Sequence, residues 1–113
     1  MSSSDLESVV RKLVTTLAYG EYEDVVAACS ASRLSADDLR AVVSDYGRTL
    51  VAPPADAYLE LDSVVIRDLA VPTWSVRAPL WTKEEGRSDL EFQLTIQQQG
   101  RHWAVELDDL LVP

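Results

Sequence analysis

His102 is the chain's one histidine and Cys29 its one cysteine, so the two side chains best suited to proton transfer and nucleophilic attack near neutral pH each occur singly. Alternation through His102-Trp103-Ala104-Val105-Glu106 puts His102 on the polar side of a strand with Glu106, with no nucleophile placed beside it. Cys29 continues the apolar spacing of Tyr22, Val25 and Val26, and its nearest cation in sequence is Arg33. It is expected to be a buried thiol acting as a small hydrophobe. A single cysteine excludes an internal disulfide and a Cys-rich zinc site. Asp37-Asp38 and Asp108-Asp109 lack the ligand spacing of a calcium loop, and the four glycines stand apart, so no phosphate-cradling loop exists. No metal or cofactor is expected. An enzyme would need a polar group in the interior, where burial could tune its pKa. Tyr22, Tyr46 and Asp62 are the polar-tipped residues that the pattern brings near the core, and they are the candidate pocket residues.

A second kind of chemistry is recognition. Of Trp74, Trp81 and Trp103, the first and last fall on a core face, whereas Trp81 adjoins the charged loop Lys83-Glu84-Glu85-Gly86-Arg87-Ser88. A bulge at Pro79 would rotate Trp81 inward, opposite Leu90. Without it, Trp81 with Glu84, Glu85 and Arg87 forms an aromatic anchor ringed by charge, the composition of an interface centre. The chain carries 19 acidic and 10 basic residues, a formal net charge of −9. That sign repels nucleic-acid phosphates at long range and suits a basic protein partner. The acids are dispersed and form no tail.

These residues are positioned by a helical half followed by a strand half. Leu6, Val9, Val10, Leu13, Val14 and Leu17 make one helical stripe, opened by the capping-box pattern Ser4-Asp5-Leu6-Glu7 and stopped at Gly20. A shorter helix is expected from Glu21 to about Ala28. Ser35-Ala36-Asp37-Asp38 caps a third, with Leu39, Val42, Val43, Tyr46 and Leu50 on its apolar side and Pro53-Pro54 barring continuation.

From Tyr58 the period becomes two. Tyr58 to Ile66 reads as one strand with a bend near Ser63, or as two short ones, and Thr73 to Thr82 reads as a strand that Pro79 confines to an edge or bulge. Leu90 to Gln97 and Trp103 to Leu107 alternate without a miss. A Gln99-Gly100 loop would pair Ile96 with Trp103, Leu94 with Val105 and Phe92 with Leu107, and a one-residue slip would set apolar against polar throughout. The segregation of helices and strands implies an α+β fold of one domain, residues 1–113, with helices about 5–50 packed on one face of an antiparallel sheet of about four strands, about 58–107.

That order of three helices and then bent strands ending in a hairpin resembles the NTF2-like, cystatin-related α+β superfamily. The segments Tyr46-Gly47-Arg48-Thr49-Leu50-Val51 and Leu80-Trp81-Thr82-Lys83-Glu84-Glu85-Gly86-Arg87-Ser88-Asp89-Leu90 are similar to stretches in small bacterial proteins whose domain has no assigned function. The resemblance implies a cone-shaped sheet, and that superfamily includes isomerases, dehydratases, transport factors and toxin-immunity proteins.

Two functions are therefore in view. One is a non-enzymatic binding domain, such as an immunity-type antagonist that docks an acidic surface on a basic partner. The other is a small-ligand binder or isomerase-like enzyme that uses a cone pocket. Short or uncharged groups on the far sheet face (Gln93, Thr95, Gln97, Ala104) also suit a homodimer. No apolar run approaches the roughly 18 to 20 residues needed to span a bilayer, and the first residues lack a secretory pattern, so a cytoplasmic protein is expected.

Overall fold

The computed structural model describes residues 3–113, and of residues 3, 4, 59 and 60 the backbone alone. Helix α1 (Ser3–Ala18) begins one residue before the expected cap, and the Ser4 side chain lies outside the described residues. Leu6, Val10, Leu13, Val14 and Leu17 are buried along it, as the spacing requires. It ends in a Schellman motif: the Gly20 amide donates to the Leu17 carbonyl and the Glu21 amide to the Thr16 carbonyl, with Gly20 at φ +76°. Helix α2 (Tyr22–Ala28) buries Val25. Helix α3 (Ala36–Tyr46) opens on a complete capping box, in which Ser35 Oγ accepts from the Asp38 amide at 3.0 Å and Asp38 Oδ2 accepts from the Ser35 amide at 2.9 Å. Gly47, in the left-handed conformation, closes it, so Leu50 belongs to the next element and not to this helix.

The strands are β1 (Ala31–Ser32), β2 (Leu50–Val51), β3 (Asp62–Ile66), β4 (Thr73–Thr82), β5 (Gly86–Gln99) and β6 (His102–Leu111). Among the described residues the sheet has six strands and not four, in the order β1-β6-β5-β4-β2, with β3 also on β4. It is mixed, because β1 runs parallel to β6. Strands β1 and β2 are two residues each, too short to show a period in sequence. The stretch Ala55–Glu60 is a 3₁₀ turn, held by bonds from the Ala57 amide to Pro54 O and from the Leu61 amide to Tyr58 O, so the strand expected from Tyr58 begins only at Asp62.

The three helical stripes cover one sheet face. Val76, Ala78, Leu80, Leu90, Phe92, Leu94, Ile96, Val105, Leu107 and Leu110 point into that core, with Trp74 and Trp103 packed at its margin, rings 5.5 Å apart. Each fully buried Leu or Phe contributes about 1.5–3 kcal/mol relative to exposure. The β5–β6 register is Ile96 with Val105, Leu94 with Leu107 and Phe92 with Leu110, which differs from the expected one. The loop is Gly100-Arg101, with Gly100 at φ +64° in the first loop position, where a type II′ turn places glycine. The shift is two residues, so every side chain keeps its face. One extra residue at Asp108 then restores Leu110 to the core.

Pro79 does mark an irregularity, though with a different outcome from the one expected. Between the pairs Pro79–Glu91 and Trp81–Arg87, the residues Ser88 to Leu90 of β5 stand against Leu80 alone. Leu80 and Leu90 are both 1% exposed, whereas Trp81 stays on the opposite face, half-buried. Buried Ser88 fills the break: its hydroxyl donates to Leu80 O at 2.8 Å and accepts from the Leu90 amide at 3.2 Å.

Candidate interaction surface

The β4–β5 turn is held by carboxylates. Glu84 accepts from the Thr49 amide and from the Thr49 hydroxyl, each at 2.8 Å. Those bonds, the backbone amide first, hold its carboxyl below the ordinary 4.5. Glu85 Oε2 accepts from Tyr46 Oη at 2.8 Å and from Thr82 Oγ1 at 3.1 Å, while Arg48 Nε lies 3.7 Å from Oε1. Tyr46 Oη in turn accepts from the Asp89 amide at 3.3 Å. The structure thus joins Tyr46, expected as a pocket residue, to Glu84 and Glu85, expected as partner-binding acids. Together they clamp the turn to the end of α3 and to β2.

Trp81 and Arg87 lie on the other side of that turn. Strands β2 and β3 share one edge of β4, against residues 81–82 and 73–77, and the gap between them holds Pro79, which has no N–H to leave unpaired. The 3₁₀ turn fills the gap from the side. Asp56, Ala57, Pro79, Trp81 and Arg87 line an open hollow of about 240 Å³ there, on the sheet face without helices.

The other candidates are placed apart. Tyr22 is half-buried under the Arg40 guanidinium, which lies 5.3 Å from its ring and pairs with Glu23 at 3.1 Å and with Asp37. Backbone hydrogen bonding, and then Arg40, hold the Glu23 carboxyl below its ordinary value. Asp62, expected near the interior, is exposed on β3 opposite Arg77, because the strand that carries it lies at the sheet edge. His102 is exposed at the hairpin. Cys29 Sγ donates to Val25 O at 3.3 Å, and burial pushes its thiol up to about 11. Desolvation and then Glu85 raise the Tyr46 phenol. Each of these shifts moves its group away from neutral pH, the reverse of what acid–base catalysis asks for.

A second hollow, about 340 Å³, opens between α1, α2 and the start of β6, where Lys12, Glu21 and Asp24 ring Trp103 and Val105. None of Tyr22, Tyr46 or Asp62 lines it. Among the described residues no group of three or more His, Cys, Asp or Glu side chains is placed to hold a metal ion, and no helix is long and apolar enough to cross a membrane.

The sequence reading missed the exposure of β3. Val64 is 60% exposed, Val65 53% and Ile66 38%, with Leu69 following at 51%. In sequence these three consecutive apolar residues showed only as a break in the alternation after Asp62, which does not tell a buried strand from an exposed edge.

Fold and surface together define an α+β protein whose three helices back one face of a curled mixed sheet, with its placed polar clusters at the surface. The chain belongs to the family described as a domain of unknown function, DUF7668, whose model matches residues 14–113. No curated protein and no solved structure matches it.

Proposed function

We propose that this chain is a non-enzymatic binding domain that recognises a basic protein, in the manner of an immunity-type antagonist, on an NTF2-like frame. The observation that carries this reading is the hollow where half-buried Trp81 lies beside exposed Arg87 and Asp56 on the uncovered sheet face. An aromatic side chain held by a stiff strand loses little entropy on docking, and charged neighbours exclude mismatched partners. The net charge of −9 speeds the approach of a basic protein. Helices preceding a curled sheet support the NTF2-like frame. Glu84 and Glu85 act here by fixing the turn that presents Trp81, and Glu91 and Glu106, on the same face as Trp81, supply the steering field.

The test is capture from the source cell by the immobilised chain, followed by kinetics on the purified partner. The expected result is association that slows steeply with salt, an off-rate raised by Trp81→Ala, and an on-rate lowered by Glu91→Gln and Glu106→Gln. The second reading, a small-ligand binder or isomerase-like enzyme, is favoured by the 340 Å³ hollow at Trp103, which falls at the small end of ligand-pocket volumes. A bound small molecule that is indifferent to salt and to Trp81, and is lost on Lys12→Ala in that hollow, would replace the first reading with the second.

A further inference from the structure

Strand β3 is an edge without protection. It pairs on one side with β4, and among the described residues nothing pairs with its other side. That side presents the outward N–H and C=O groups of a five-residue strand, ready to take another strand. Natural edges are usually blunted by Lys, Pro, a bulge or extreme shortness, and Asp62-Ser63-Val64-Val65-Ile66 has none of the four. The opposite edge of the sheet is partly closed, since β1 covers Glu106 and Leu107 of β6. All five residues of β3 are exposed, so apolar surface lies on both faces of the strand, with Val64 and Ile66 on one and Val65 on the other.

The local charge says which strand fits. The chain carries −9 in all, yet among the described residues the exposed charges along this edge, Asp62, Arg67, Asp68 and Arg77, sum to zero. Elsewhere two copies of so acidic a protein would repel, and here they meet across a neutral strip. A basic partner would gain nothing locally from this edge. Antiparallel pairing of a strand with its own copy closes under a two-fold axis normal to the sheet, which requires like residues to sit opposite themselves or at even offsets. Centring on Val64 puts Val64 against its counterpart, Ser63 against Val65, and Asp62 against Ile66. The two Asp62 carboxylates then lie at opposite ends of the ladder. Centring on Val65 would instead set Asp62 against Asp68, an acid against an acid, and is disfavoured.

We propose that β3 is a self-association edge: two copies of the chain join their sheets antiparallel through Asp62–Ile66, centred on Val64, into one continuous sheet. This surface is distinct from the Trp81 hollow and does not depend on a basic partner. The contact is small, so the dimer is a weak one, at the low end of specific interfaces.

Sedimentation of the full chain over a wide concentration range tests this. A species of twice the chain mass is expected to grow with concentration and, unlike an acid–base complex, to grow further as salt rises and screens the −9 charges. Val64→Lys, at a residue 60% exposed, should leave the circular dichroism and melting of the monomer unchanged and weaken the dimer about tenfold or more. In a Cys29→Ala background, Val64→Cys should cross-link between copies under mild oxidation, and Thr95→Cys, on the open sheet face, should not. A chain that stays monomeric at every concentration and salt, or one that cross-links through Thr95→Cys and not Val64→Cys, overturns the proposal. Either result leaves the Trp81 reading untouched, since that is measured with Trp81→Ala.

Discussion

The Tyr46 hydroxyl donates to Glu85 Oε2 at 2.8 Å across 39 residues of sequence, tying the last turn of α3 to the β4–β5 turn. It joins the helical half of the chain to the strand half at the sheet end that carries Trp81.

Replacing Tyr46 with Phe keeps the ring and removes that bond together with the one from the Asp89 amide. Both bonds face solvent, so the expected loss is about 1 kcal/mol, read from the midpoint of chemical denaturation. Faster hydrogen exchange at the Asp89 amide should accompany it. No change in either would mean that the pair does not hold the turn.

Glu84 gives the turn a pH dependence. Its carboxyl is held below the ordinary 4.5, first by the Thr49 amide. A depressed carboxylate stabilises the fold fully above the unfolded value and loses that contribution as pH falls through the folded one. Protection of the Thr49 amide should therefore be flat from neutral pH to about 4.5 and fall on further acidification. In Glu84→Gln the neutral amide oxygen can still accept from Thr49, and this fall should vanish; an unchanged fall would assign it to another acid.

The inner sheet face supports a paired comparison. Leu94→Ala removes a side chain 1% exposed at the centre of β5 and should cost about 2–5 kcal/mol. Gln93→Ala beside it, on the other face, should cost about 0.5 kcal/mol, and equal losses in denaturation would refute the face assignment.

Tyr58 makes the opposite case. Its ring is 7% exposed and packs under the Arg11 guanidinium at 4.6 Å, while its buried hydroxyl has no hydrogen-bond partner among the described residues. The Thr15 hydroxyl approaches it without reaching bonding geometry. A buried unpaired donor is a cost to the fold, so Tyr58→Phe should leave stability within about 0.5 kcal/mol or raise it. A clear loss would reveal a partner for the hydroxyl.

Sequence carried the helices and the core face well, because both rest on periodicity. The stripe from Leu6 to Leu17 and the Ser35 capping box are local patterns, complete within a few residues. Elements that depend on distant partners were not legible. Ala31-Ser32 is a strand only because the Val105 and Leu107 carbonyls receive the Ser30 and Arg33 amides. Leu59 and Leu61 alternate with polar residues as a strand would, yet Pro54 and the tight bonds behind it impose a 3₁₀ turn. At the candidate surface, Trp81 and Arg87 were linked by adjacency. Nothing in the loop sequence, however, told that Glu84 and Glu85 would be engaged by Thr49 and Tyr46. Asp62 was misplaced because three apolar residues after it imitate a buried strand.

The turn at Gly100-Arg101 also bears on how the chain reaches this structure. Pairing Leu94 with Val105 in place of Leu107 preserves the polarity of the whole hairpin, so the competing arrangement is nearly as favourable until something else discriminates. Two features do so: the positive φ of Gly100 at the first loop position, and the extra residue at Asp108 that lets Leu110 reach Phe92. A hairpin that forms before those contacts close is a kinetic trap, and escape requires the two strands to slide two residues past each other. Refolding should then show a minor slow phase that grows in Gly100→Ala, which penalises the positive φ of the native turn.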